Sequence, residues 1–251
     1  YHHWIGHDTS LTSDPVNWSD YEYSNAGITY MRDAGSPQLS WIARIENTGD
    51  QSSSVQAGAD LEVLGLEVCG NVSKDAHETL VLGLGVNLTG RNEIRLASHA
   101  TLLVTGGNVS SLRWLDILSG ATLTGYGSVN ADIYNNGSVT VTRAGARTFR
   151  VSGDYHQAAD GTLTLTSTGS GFSSLTITGE ATLGGVLKVL IPEDFEATTG
   201  TTFTVLIADR ITGRFANTRD EVVSSGGASF TIGYTNAAVT LTVNYSASGG
   251  N

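Results

Sequence analysis

Cysteine occurs once in the 251-residue chain, at Cys69, which removes any intrachain disulfide framework and any cysteine-based zinc site. Proline is nearly absent, with 3 residues, and methionine occurs once. Charge is sparse: 15% of residues, with 13 Lys and Arg against 24 Asp and Glu, for a net charge of −11. Phosphate neutralisation needs clustered cations, so this balance excludes a nucleic-acid partner. No apolar run reaches the roughly 18 residues that a membrane-spanning helix requires. The sequence opens at Tyr1 with neither an initiator Met nor a charged-then-apolar leader, and reads either as a mature form whose export signal has been removed or as a trimmed form of a longer chain.

What is abundant points one way. Glycine contributes 31 residues, and Thr, Ser, Val and Leu together contribute 101 more. These are residues of strands and tight turns, and no segment has a helical period. The chain is expected to be all-β.

Three textures follow one another. Residues 1–50 hold three of the four tryptophans (Trp4, Trp18, Trp41) and four of the nine tyrosines, and read as an irregular N-terminal cap. Residues 51–190 are monotonous: short alternating strands broken by Gly, Asn and Ser turns. Residues 191–245 read as C-terminal strands that complete or cap the domain, and 246–251 as a flexible tail.

The middle region repeats loosely. A small-residue turn followed by Ser or Thr and an inward aliphatic recurs at Leu102, Leu123, Val139, Leu163 and Leu183, in steps of 21, 16, 24 and 20 residues. A step near 20 suits one coil of a right-handed parallel β-helix, in which each coil buries the apolar face of the one before it. An antiparallel β-sandwich alternates in the same way, but hairpin signals are few and the turn-to-turn period is longer.

Two stretches carry a family resemblance. Gly120-Ala121-Thr122-Leu123-Thr124-Gly125-Tyr126-Gly127-Ser128-Val129, continuing to Asn135-Asn136-Gly137-Ser138-Val139, resembles coils of autotransporter passenger and filamentous-adhesin-like proteins. So does the run with Tyr155, Gln157, Gly161, Leu163, Leu175–Gly185, Gly200, Phe203, Val205, Leu206 and Ile211–Phe215. Trp4-Ile5-Gly6 and Asn17-Trp18-Ser19 resemble the opening of secreted bacterial proteins of this type. The resemblance implies a β-helix and an exported, surface-associated protein, and it implies no catalytic residues.

Glycoside cleavage needs two carboxylates across one groove. Asp116, Asp132, Asp154, His156, Arg113, Arg143 and Arg147 are available but form no tight pair in sequence, and read as coil-face charges. His2, His3, His7 and Asp8 are a conceivable Zn²⁺ or Cu²⁺ group, and Asp14, Asp20, Glu22 and Asp33 a conceivable Ca²⁺ group. Both read more simply as terminal surface, so neither a metal nor a cofactor is expected. Thr162, Thr164 and Thr166 alternate with Leu163 and Leu165, an ordinary strand pattern rather than an ice-binding array. The sequons at Asn17, Asn71, Asn87, Asn108, Asn136 and Asn244 are candidate glycosylation sites.

The expectation is therefore an exported, non-enzymatic β-solenoid at the cell surface, structural or adhesive, assembling into a filament or layer. Its partners would be copies of itself, with surface glycans or host ligands as targets. Trp4, Trp18, Trp41, Phe230 and Tyr234 are the candidate assembly and cap residues. The alternative is a carbohydrate-active β-helix, either a glycan-binding module or a polysaccharide lyase or hydrolase.

Overall fold

The computed structural model describes residues 2–4, 18–24, 27–33, 42–47, 50–142, 148–168, 171–192, 195, 197–224 and 227–245, the first three segments as backbone strands. Trp41, Asn17, Arg143, Arg147, His7, Asp8, Asp14 and the tail 246–251 lie outside the described residues. The described chain is nearly all-β, with strands as its main regular structure, and the expected β-solenoid is present. It comprises two compact units, Tyr1–Leu123 and Thr124–Asn251.

In the first unit, β1 (His2–Trp4), β2 (Trp18–Ser24) and β3 (Gly27–Asp33) form an antiparallel set. The coils follow. The first is β4 (Ile42–Glu46), β5 (Ser53–Ala57) and β6 (Leu61–Val63). The second is β7 (Gly65–Cys69), β8 (Glu78–Leu82) and β9 (Asn87–Gly90); β10 (Ile94–Leu96) and most of the long β11 (Ala100–Ile117) supply the third, and the end of β11 stacks on β10 as the start of a fourth. Every coil-to-coil pairing is parallel. One column runs β4–β7–β10–β11, a second β5–β8–β11 and a third β6–β9–β11.

Register explains the core. Ala43, Leu66, Ile94 and Leu115 stand in one line and Ile45, Val68, Leu96 and Ile117 in the next, all buried. Strand alternation puts every second residue inside, and stacking covers each with the equivalent residue of the next coil. Full burial of such a side chain contributes about 1.5–3 kcal/mol.

The second unit repeats the plan. Its strands are β12 (Thr122–Asn135), β13 (Ser138–Val141), β14 (Phe149–Val151), β15 (Tyr155–Gln157), β16 (Thr162–Thr168), β17 (Gly171–Phe172), β18 (Leu175–Ile177), β19 (Glu180–Leu183), β20 (Val186–Leu190), β21 (Thr202–Ile207) and β22 (Arg210–Gly213). Its columns are β12–β14–β18–β21, β12–β15–β19–β22 and β13–β16–β20. The parallel ladders of the first unit begin at Ile42, and those of the second end at Gly213.

The coil step also differs from the sequence reading. Leu163 stacks on Val139 and Leu187, 24 residues to either side, whereas Leu183 stands in another column opposite Gly213. Loops of different length join the columns, so Ile94 meets Leu115 after 21 residues but Ala181 meets Ile211 after 30.

β23 (Glu221–Val223), β24 (Ser229–Tyr234) and β25 (Ala238–Tyr245) end the described chain with antiparallel pairings. β25 pairs with β21 and covers its outer edge. Phe172, Phe195, Phe203 and Phe230 pack beside these strands, with ring centroids 5.1–6.4 Å apart. The neighbouring edge is closed by a side chain: the amide of Asn217 bonds the N–H and carbonyl of Leu187 in β20. Ile211 in β22 donates its N–H to Asn236 O at 2.7 Å. Closing edges in this way removes templates for further strand pairing.

Candidate functional site

The topology dictates the partners of the groups that an enzyme would need. Asp132 and Asp154 occupy equivalent positions in successive coils. Asp132 Oδ1 accepts from Asp154 N at 2.9 Å, and Asp154 Oδ1 accepts from Glu180 N at 2.7 Å. They tie coil to coil at the entry to β15 and β19. His156 stacks on Tyr134 at 4.8 Å with the rings 14° apart. Arg113 lies over the Trp114 ring at 5.3 Å.

Asp116 belongs to a charge column on the outer face of the first unit. Arg44, Glu67, Arg95 and Asp116 follow one another in register across four coils. Arg44 pairs with Glu67 at 3.6 Å and Arg95 with Asp116 at 3.8 Å; Glu46 and Glu93 add contacts at 3.3 and 3.7 Å. Alternating sign in a column gives attraction across each coil boundary. Burial nonetheless pushes the Asp116 carboxyl above its ordinary range, against the opposing pull of Arg95.

Two polar sites are internal. In the second unit, Asn135, Tyr155 and Gln157 are buried together. Tyr155 donates its hydroxyl to Gln157 Oε1 at 2.7 Å and accepts from Asn135 Nδ2 at 3.1 Å. Asn135 also donates to Thr162 O at 3.1 Å, and Gln157 to Gly184 O at 2.8 Å. The motif residues Tyr155 and Gln157 thus link neighbouring coils through the interior. Burial raises the Tyr155 phenol far above its normal pKa. Gly185, also in the motif, has φ +55, and a Cβ there would stand 2.0 Å from Gly161 O.

In the first unit, Glu78 is 1% exposed at the start of β8. Ser53 Oγ donates to Glu78 Oε2, while Oε1 has no hydrogen-bond partner. Burial pushes this carboxyl above the usual carboxylate range, and the Ser53 bond opposes that only in part. Cys69 is buried as well, and desolvation pushes its thiol up to about 11, which makes it unreactive.

Outside Glu78 lies the one cluster of three metal-ligating side chains among the described residues: Asp75, His77 and His99. Asp75 and His77 leave the turn between β7 and β8, and His99 the turn between β10 and β11. Asp75 Oδ1 is 3.0 Å from His99 Nε2, and the rings of His77 and His99 are 4.7 Å apart. Ser98 Oγ lies 3.1 Å from His99 Nδ1. The sequence reading passed over this corner. The signal is Asp75-Ala76-His77 together with a histidine one coil on, since Glu78 pairs with Ala100.

The cap and sequon residues are placed as follows. Trp4 and Trp18 are register partners in β1 and β2. Phe230 is fully buried, a packing residue. Tyr234 is half-buried; its hydroxyl accepts from Phe215 N at 3.2 Å, and Arg214 lies over its ring at 4.8 Å. Asn108 donates to Asn87 Oδ1, and Asn87 donates to Asp60 from both its side-chain amide and its backbone N–H, which lowers the Asp60 pKa. Asn71 Oδ1 accepts from Ser73 Oγ at 2.8 Å and Asn244 Oδ1 from Thr231 Oγ1 at 2.9 Å, while Asn136 is exposed. Thr164 is buried, which interrupts the threonine row.

No family model matches the chain, and no curated protein matches it. Among the described residues no helix is long and apolar enough to cross a membrane.

Proposed function

We propose that the chain is an exported, non-enzymatic β-solenoid that serves as a structural and adhesive element of the cell surface and associates with copies of itself. One observation carries the reading. Among the described residues, acids and bases that a β-helix enzyme would draw on are engaged in holding coils together or in ring contacts: Asp116 with Arg95, Asp132 with Asp154, Asp154 with Glu180, His156 with Tyr134. Outer columns built this way favour persistence over turnover.

An open strand edge supports the self-association reading. Among the described residues β5 and β6 each pair on one side only, with β8 and β9. Ser53 N donates to His77 O, so strand alternation points the N–H groups of Ser54 and Gln56 away from β8. Such an edge accepts a strand from a second copy.

Light scattering and electron microscopy of the purified protein test this. The expected result is concentration-dependent association that Gln56→Pro abolishes, because proline removes an outward N–H and leaves the β5–β8 ladder whole. Monomers at every concentration overturn self-association. Labelling of intact producing cells checks export: signal confined to lysed cells overturns the surface assignment.

A further inference from the structure

We propose that Asp75, His77 and His99 form a transition-metal site of the zinc class that clips two successive coils of the first unit together. The proposal is independent of the surface role. One donor atom from each residue lies within 4.8 Å of the others, and Asp75 Oδ1 and His99 Nε2 are already 3.0 Å apart. Ligands about 2.0–2.1 Å from a tetrahedral zinc ion stand roughly 3.3 Å from one another, so the 4.8 Å limit on this set lies about 1.5 Å above a closed site, and His77, the exposed histidine, is the one with room to adjust.

The surroundings suit ligation. Both histidines come from anchored backbone. His77 donates its N–H to Ser52 Oγ at 3.0 Å, and its carbonyl accepts from Ser53 N at 2.8 Å and Asn47 Nδ2 at 3.0 Å. His99 donates to Gly120 O at 3.0 Å, and its carbonyl accepts from Glu78 N at 2.9 Å. Ser98 Oγ meets Nδ1 of His99, the outer-shell contact that orients a ligating imidazole and leaves Nε2 for the metal. Asp75 is the solvent-facing partner, 89% exposed on its turn.

The backbone is shaped for this approach. Asp75 and His99 both have left-handed φ, 54 and 60°. Gly70 lies beneath them, and a Cβ there would come within 2.4 Å of His99 O and 2.6 Å of Ala76 O. Two imidazoles and one carboxylate are a donor set for Zn²⁺, Cu²⁺ or Ni²⁺, whereas Ca²⁺ and Mg²⁺ need oxygen cages. The fourth position faces solvent and takes water or an outside carboxylate or imidazole. The sequence reading expected no metal because it searched for donors close in sequence near the N-terminus; this set closes only when one coil step is folded.

The test is calorimetric titration of zinc chloride into the metal-free, untagged full chain, with melting curves alongside. The variants are His77→Gln, His99→Asn and Asp75→Asn, the last two chosen because asparagine tolerates left-handed φ. A control replaces His2, His3 and His7 with alanine. One zinc per chain is expected, with Tm rising by about 5–10 °C at a hundred-fold excess over Kd. His77→Gln and His99→Asn should each weaken binding at least about tenfold and cancel the Tm rise, with the metal-free variants melting near the parent; the control should bind as the parent does. Absence of zinc binding by the parent overturns the proposal. So does binding that survives His77→Gln and His99→Asn, or that vanishes in the N-terminal control. Should a variant fail to fold, X-ray absorption of the zinc-loaded parent decides: two imidazoles with oxygen support the site, an oxygen-only shell overturns it.

Discussion

The side-chain amide of Asn217 bonds both backbone groups of Leu187, accepting from its N–H and donating to its carbonyl at 2.9 Å each. One side chain thereby replaces the strand that would otherwise lie against β20. Asn217→Ala should cost about 1–2 kcal/mol in urea unfolding, because two strand-edge groups lose their partner. Asn217→Asp, which keeps the acceptor and loses the donor, should fall between. An unchanged urea midpoint in both would show that water replaces the amide without loss.

The buried Glu78 makes stability depend on pH with a definite sign. Its folded pKa is raised by burial, so the folded state holds the proton more tightly than the unfolded chain. That contribution is fully present below the unfolded carboxylate pKa and is lost as pH rises through the raised folded value. Glu78→Gln should therefore melt higher than the parent at neutral pH and close to it in acid. A gain of equal size at both extremes would refute the assignment.

Tyr155 closes the internal network with Asn135 and Gln157. Tyr155→Phe keeps the ring and removes the hydroxyl, leaving buried amide groups short of a partner, at a cost of about 1–3 kcal/mol. Alkaline titration followed by tyrosine absorbance should show this phenol ionising only when the chain unfolds.

The charge column offers a weaker but salt-sensitive test. Arg95→Glu would set like charge beside Glu67, Glu93 and Asp116. These side chains are partly solvated, so a loss of about 1 kcal/mol is expected at low salt, shrinking at high salt. A loss independent of salt would point to packing of the Arg95 stem instead.

The all-β class, the solenoid and the inward aliphatics were legible in the sequence, because strand alternation is local and stacking demands that every coil carry it. Leu102, Leu163 and their partners show this directly. The coil step was not legible to the residue, since Leu163 and Leu183 share a local pattern yet stand in different columns. Loop length is a surface property that leaves no periodic mark. The same limit hid the functional geometry. Local sequence made Asp132 and Asp154 resemble free acids, and only the register revealed that each accepts from the main chain of the next coil. His77 and His99 are 22 positions apart, and nothing near either one names the other. Composition fixed what the chain is made to bury; the register between coils, set by long-range backbone pairing, decided which polar side chains meet.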